Sequence, residues 1–258
     1  MDVKSTIMKI VHMSDLHLTN GGQPIWETNT MDHFNKSIEI IRGMKNIDAI
    51  IITGDLSDDG SMWAYQYADK MFSSLKIPTL CCPGNHDSLQ MMLNDYHPLF
   101  YQILPPSCLI HGWKILIVNS VISDDENPIH NKSRGFISEE SMLYIKRELN
   151  EGLPTIIAFH HPAQEPGGWL NRRLLDNRDE FNKMLINYSN ARLVLYGHIH
   201  FFTDVKKGHI RYSSSSSVGF AFNKELSKFQ IAKGQEGFSL IDIENNEIKI
   251  TNILLTTK

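Results

Sequence analysis

The 258-residue sequence has only three cysteines, Cys81, Cys82 and Cys108. Cys81 and Cys82 are adjacent in an apparent strand and no Cys-x-x-Cys spacing occurs, which excludes a disulfide framework and a thiolate zinc site. Buried reduced thiols are expected. No run of about 18 apolar residues occurs, so no membrane-spanning helix is expected. Asp2, Lys4 and Lys9 interrupt the N-terminal segment too early for a signal sequence, and the expected location is the cytoplasm.

A basic surplus is also missing. Lys and Arg number 25 against 29 Asp and Glu, a net charge of -4, and no basic block gathers into a stripe. Nucleic acid is therefore not an expected partner. An anionic ligand must be held locally, as bound metal ions would hold it. There is no internal repeat, and the only low-complexity tract is Ser213 to Ser217, read as a small-residue strand and turn in preference to a pocket lining. One domain over residues 1–258 is expected, near the upper size of a single hydrophobic core.

What is present is ample core material, with 41% hydrophobic and 21% charged residues. Short apolar runs at 7–13, 48–53, 79–82, 155–159 and 192–196 each stop at a polar or glycine-containing turn. They read as strands buried on both faces and are expected to form one central sheet. Apolar spacings of three and four predict helices over 31–44, 61–75, 138–149 and 178–188, with Ser138 and Ser141 as possible caps. Further strands are expected within 107–119 and 202–255. The sum is an α/β fold, a four-layer αββα sandwich with two mixed β-sheets flanked by helices. Loops at 123–134 and 162–173 are long enough to carry substrate contacts.

Chemistry concentrates where those runs end. Asp15 and His17 follow the first, and strand alternation would point residues two apart the same way. The same holds for His198 and His200 after the last. Asp55 follows Gly54, where a sharp turn can place a carboxylate at the sheet edge. Asn85, His86 and Asp87 share one loop, and His160 ends the run before His161 and Pro162. Oxygen and imidazole donors at the carboxyl ends of five strands mark the edge where open α/β sheets gather ligands. Such donors, without thiolate, suit a pair of Mn, Fe, Co or Zn ions. His161 is expected to point to solvent or to support a ligand, and His12 to be a core histidine, since it faces away from His17. The acidic run at Asp124, Asp125 and Glu126 reads as a solvated loop face.

The set Asp15-x-His17, Gly54-Asp55, Gly84-Asn85-His86-Asp87, His160 and Gly197-His198-x-His200 resembles the calcineurin-like metallophosphoesterases. Asp59, Ala64-Tyr65-Gln66, Gly135-Phe136-Ile137-Ser138 and Trp169-Leu170 extend the resemblance to the bacterial class III cyclic-AMP phosphodiesterases. His161-Pro162-Ala163 departs from it, since the family pattern often has a second proline there. The resemblance implies the metallo-dependent phosphatase fold and two divalent ions, Mn or Fe first, Zn or Co next. Asp15, His17 and His200 would hold one ion, Asn85, His160 and His198 the other, and Asp55 would bridge them. His86 would assist the leaving oxygen, with Asp87 orienting it.

The implied reaction is hydrolysis of cyclic AMP to 5′-AMP, a hydroxide shared by the two metals attacking phosphorus. Glycerophosphodiesters, 2′,3′-cyclic nucleotides, nucleic-acid ends and a non-catalytic scaffold are the competing readings. Asn85 and His86 would contact substrate, and Trp169 is either a base-stacking lid or a loop anchor. A homodimer is implied by the resemblance alone.

Overall fold

The computed structural model describes residues 7–99, 101–122, 133–167, 170, 171, 173–225 and 228–256. Strands β1 (Met8–Met13), β2 (Ala49–Thr53) and β3 (Thr79–Cys82) are joined by helices α1 (Thr30–Gly43) and α2 (Met62–Ser73). β4 (Tyr101–Ile103), β5 (Cys108–Ile110) and β6 (Trp113–Ile117) precede α3 (Glu139–Leu149). β7 (Thr155–Ala158), α4 (Arg178–Leu185) and β8 (Ala191–Tyr196) follow. The chain then runs through β9 (Thr203–Lys207), β10 (Ile210–Ser214), β11 (Gly237–Glu244) and β12 (Glu247–Leu254). Ser138 caps α3 by accepting from the Ser141 amide, and Asn29 and Ser61 cap α1 and α2 the same way.

The strands form two six-stranded sheets, ordered β12-β11-β1-β2-β3-β4 and β5-β6-β7-β8-β10-β9. In each, four neighbouring strands are parallel (β1 to β4; β6, β7, β8 and β10), and antiparallel strands complete the sheet. The expectation of one central sheet is therefore corrected: β1, β2 and β3 lie in one sheet and β7 and β8 in the other. A run buried on both faces looks the same in either sheet of a four-layer sandwich, so hydropathy could not sort them.

Strand parity assigns the layers. Met8 and Ile10 of β1, Ile51 of β2, Ile115 of β6, Ile156 of β7 and Leu193 and Leu195 of β8 pack together between the sheets. Their sequence neighbours Val11, Met13, Ile50 and Ile52 join Phe34, Ile38, Tyr65 and Phe72 under α1 and α2. Leu116, Ile157 and Val194 join Met142, Ile145, Phe181 and Leu185 under α3 and α4. His12 is a core histidine as expected, fully buried with its Nε2 2.8 Å from Thr53 Oγ1, and burial lowers its pKa to about 3. Ser213 and Ser214 end β10, and Ser213, Ser215 and Ser217 donate their hydroxyls to the carbonyls of Thr203, His12 and Asp15. No helix among the described residues is long and apolar enough to cross a membrane.

The loops leaving the parallel strands are locked together. The amides of Asp15 and His17 donate to the carbonyls of Gly54 and Asp55, and the Gly197 amide donates to the His160 carbonyl. Gly84 lies so close to Asp55 that a Cβ there would sit 2.2 Å from both the Asp55 amide nitrogen and Oδ1. Gly84→Ala should therefore cost about 1–3 kcal/mol by overpacking, lowering Tm by about 2–10 °C in calorimetry. Gly43→Ala, with open space around the new methyl, should leave Tm unchanged or raise it. Equal behaviour of the two variants would show that the loop has room to move off Asp55.

Candidate metal centre

Every donor predicted at a run's end except Asp87 comes to one place, though not by strand alternation. β1 stops at Met13 and β8 at Tyr196, and Asp15, His17, Asp55, His198 and His200 all have left-handed backbones, with φ of 54°, 47°, 51°, 71° and 55°. The paired side chains converge because both residues of each pair sit in turns of the same hand. Gly54, at φ 84°, packs so tightly that a Cβ would meet His160 Nδ1 at 2.6 Å.

Two donor groups result. In the first, His17 Nε2 lies 3.2 Å from His200 Nε2 and 3.6 Å from Asp55 Oδ2, and His200 Nε2 lies 3.3 Å from Asp15 Oδ1. In the second, His160 Nε2 lies 3.0 Å from Asn85 Oδ1, 3.1 Å from His198 Nδ1 and 3.4 Å from the same Asp55 Oδ2. Donors bound to one ion at about 2.0–2.2 Å stand from about 2.8 Å apart in an octahedral set to about 3.6 Å in a tetrahedral one, a range that contains these spacings. Asp55 Oδ2 belongs to both groups.

The hydrogen bonds behind the donors indicate which ring nitrogens face inward. His17 Nδ1 is 2.8 Å from Asp58 Oδ1, His200 Nδ1 is 2.7 Å from the Phe220 carbonyl, and His160 Nδ1 is 2.7 Å from the Thr53 carbonyl. Each Nδ1 then carries a proton for an oxygen that accepts it, which leaves each Nε2 as a lone pair whenever the ring is neutral, the form that ligates a metal. In that form the lone pairs face one another and the carboxylates of Asp15 and Asp55 among side chains that are themselves almost fully buried. Acceptors crowded this way repel unless positive charge lies among them, and two divalent ions would supply it. His198 Nδ1 faces the second group, and its buried Nε2 has no hydrogen-bond partner.

Burial pushes Asp55 upward, but the charge and hydrogen bond of His160 and the charges of His86 and His17 hold it well below the ordinary carboxylate range. Burial opposes charge on His160, yet Asp55 raises its pKa to about 9. Burial, joined by the charges of His161 and His160, pushes His198 well below the usual imidazole value. His200 falls to about 4, chiefly through burial. Asp55 and His160 thus favour each other's charged form, while burial keeps His198 and His200 neutral.

His86 lies at the mouth, with 44% of its side chain exposed and its ring 4.8 Å from that of His17. Its partner is Asp58, not Asp87. Its Nδ1 is 3.2 Å from Asp58 Oδ1, the oxygen that also holds His17. Burial lowers the His86 pKa, but the Asp58 hydrogen bond and the charges of Asp55 and Asp58 outweigh it and raise the value to about 9.

The expectation that Asp87 orients His86 is thus corrected. Asp87 accepts from the amides of Leu56, Ser57 and Gly84 and from the Tyr65 hydroxyl, so its carboxylate is spent tying two loops together. Asp58 was missed, although an acid three residues after Asp55 on the same turn was a usable signal. His161 is fully buried, not turned to solvent, and its Nδ1 lies 2.9 Å from Ser120 Oγ beside His160 and His198. Trp169 and the run Asp124 to Glu126 lie outside the described residues.

Comparison with known proteins agrees with this geometry. The family model described as calcineurin-like phosphoesterase matches residues 8–202. A 3′,5′-cyclic-nucleotide phosphodiesterase of Nostoc is 28% identical over 92% of this chain and 88% of its own length. The 3′,5′-cyclic adenosine monophosphate phosphodiesterase CpdA of Escherichia coli K12 is 25% identical over 95% of this chain and 89% of its own. Among solved structures, a dimetal phosphatase from Danio rerio superposes with a TM-score of 0.68 at 11% identity, covering 95% of this chain and 98% of the other. That last match concerns the fold alone. Fold, family match and converging donors together place the chain among the calcineurin-like phosphoesterases, as a metal-dependent enzyme related to the bacterial class III cyclic-nucleotide phosphodiesterases.

Proposed function

We propose that the chain hydrolyses a small phosphodiester, with 3′,5′-cyclic AMP as the leading substrate and 5′-AMP as product. The observation that carries this reading is Asp55 Oδ2, within 3.6 Å of His17 and 3.4 Å of His160, one oxygen common to two donor groups. In this reading Asp15, His17 and His200 hold one ion, Asn85, His160 and His198 the other, and Asp55 spans them. Mn or Fe suits these oxygen and imidazole donors, with Zn or Co as alternatives. Such a pair, when bound, screens phosphoryl charge and makes water a nucleophile near neutral pH. The cyclic-nucleotide assignment draws on relatives so named, aligned over nearly their whole length.

The chain's own residues do the rest. His86, whose charged form the Asp58 carboxylate favours, donates a proton to the ester oxygen as the bond to phosphorus breaks. Asp58 accepts from Nδ1 and favours the protonated ring, so the opposite nitrogen carries the proton that is donated. Asn85 brings a neutral amide beside the phosphate without adding repulsion. Glycerophosphodiesters and 2′,3′-cyclic nucleotides are the competing substrates, and a panel of these with cyclic AMP, assayed per metal-loaded enzyme, decides among them. Failure of cyclic AMP against a rapid glycerophosphodiester would overturn the leading assignment.

Asp55→Ala should lose the second ion and most of the first, because one oxygen leaves both groups. Metal content per chain by mass spectrometry checks it, and two retained ions would refute the bridge. Metal binding should also stabilise the fold, by about 2.7 kcal/mol at a hundred times Kd, so chelation should lower Tm. His86→Ala should slow a diester with an alkoxide leaving group about 10²- to 10⁴-fold and a nitrophenyl diester far less. Equal losses would remove the proton-donor role.

A further inference from the structure

A cavity of ≈ 760 Å³ lies over the donor groups, lined by Asp58, Asn85 and His86 and by four aromatic rings, Trp26, Phe220, Phe222 and Phe229. The rings form a chain outward from the imidazoles. Phe222 stacks on His200 at 4.2 Å and Phe220 meets His17 at 4.7 Å. Trp26 then packs edge-to-face on Phe220 at 5.0 Å and on Phe229 at 4.9 Å.

The inner and outer rings differ in exposure. Phe220 and Phe222 are 2% and 8% exposed, as expected of an apolar backing to the donors, whereas Trp26 and Phe229 remain 56% and 45% exposed. Core packing accounts for the first pair and leaves the second unexplained, since large apolar surface in a water-filled cavity is unfavourable until something covers it.

Trp26 is also held there against its own backbone preference. Ile25 and Thr28 exchange hydrogen bonds of 2.9 and 2.8 Å, closing a two-residue turn whose centre, Trp26 and Glu27, has φ of 45° and 62°. Such a turn normally takes glycine or asparagine. The structure keeps a tryptophan at its tip, facing the cavity.

We propose that Trp26, backed by Phe229, is the platform on which the base of a nucleotide substrate stacks while its phosphate lies at the donor groups. This rests on the cyclic-nucleotide reading above and extends it to specificity. A flat indole face suits a heteroaromatic ring better than a glycerol chain, and stacking tolerates different bases because each has a π-face. The site should therefore prefer nucleotides over base-free diesters and discriminate weakly between adenine and guanine.

The test uses the full-length, Mn-loaded protein with Trp26→Ala, Trp26→Phe and, as a remote control, Trp63→Ala on α2, where Trp63 stacks on Tyr67. Calorimetry with 5′-AMP and inorganic phosphate is read beside KM and kcat for cyclic AMP. Trp26→Ala should weaken 5′-AMP about 5- to 100-fold, raise the cyclic-AMP KM by a similar factor with little change in kcat, and leave phosphate affinity alone. Trp26→Phe should recover most of the loss. The platform is overturned if Trp26→Ala binds 5′-AMP like the parent, or if the parent binds phosphate but no 5′-AMP. A parent that cleaves no cyclic AMP yet binds 5′-AMP through Trp26 would leave the platform standing and remove the cyclic-nucleotide reading. Cleavage of cyclic AMP with the same KM in Trp26→Ala would do the reverse.

Discussion

Mutual repulsion among buried acceptors is the constraint on which this structure turns. Four imidazoles, two carboxylates and one amide oxygen are drawn from loops after five strands in two sheets, and the closest donor pairs stand 3.0 to 3.6 Å apart. Three of the imidazoles cannot relieve the crowding by switching tautomer, because Asp58, Phe220 and Thr53 each claim a proton on Nδ1. The protein layer behind the donors has thus fixed which nitrogen faces inward. Divalent charge at the centre would turn the same crowding into coordination.

Apolar periodicity made most of this arrangement legible. Five strands and four helices lie within a residue or two of their predicted spans, apart from the end of α4, because each run is long enough for its period to dominate. The allocation of strands to sheets was not readable, since Ile51 and Ile157 have the same local character while facing different layers. The short β4, paired in parallel with β3, was also missed: three residues give no period to detect.

At the site, residue types and order identify the donors, but not how each of them is held. Alternation along a strand predicts Asp15 and His17 side by side, whereas the chain reaches the same result with two left-handed residues beyond the strand. Adjacency to His86 in sequence points to Asp87 for the role that Asp58 fills. In three dimensions its carboxylate is consumed by three amides and a hydroxyl. Trp26 carried no motif, and only its position at a strained turn over the cavity gives it meaning.

That strain bears on how the site is built. A left-handed backbone at a non-glycine residue costs about 1–3 kcal/mol, and five of the seven proposed ligands adopt it. The cost is tolerable because each loop is restrained by another: His198 donates its amide to Asp15, His86 to Asp55, and Gly219 to the Asp15 carbonyl. Asp15 and Asp55 therefore serve twice, as metal-facing acceptors and as backbone acceptors that hold the next loop in place. Removing either carboxylate would disturb the neighbouring loop as well as the centre, so the site is best regarded as one cooperative unit spanning both sheets, in which backbone conformation and coordination support each other.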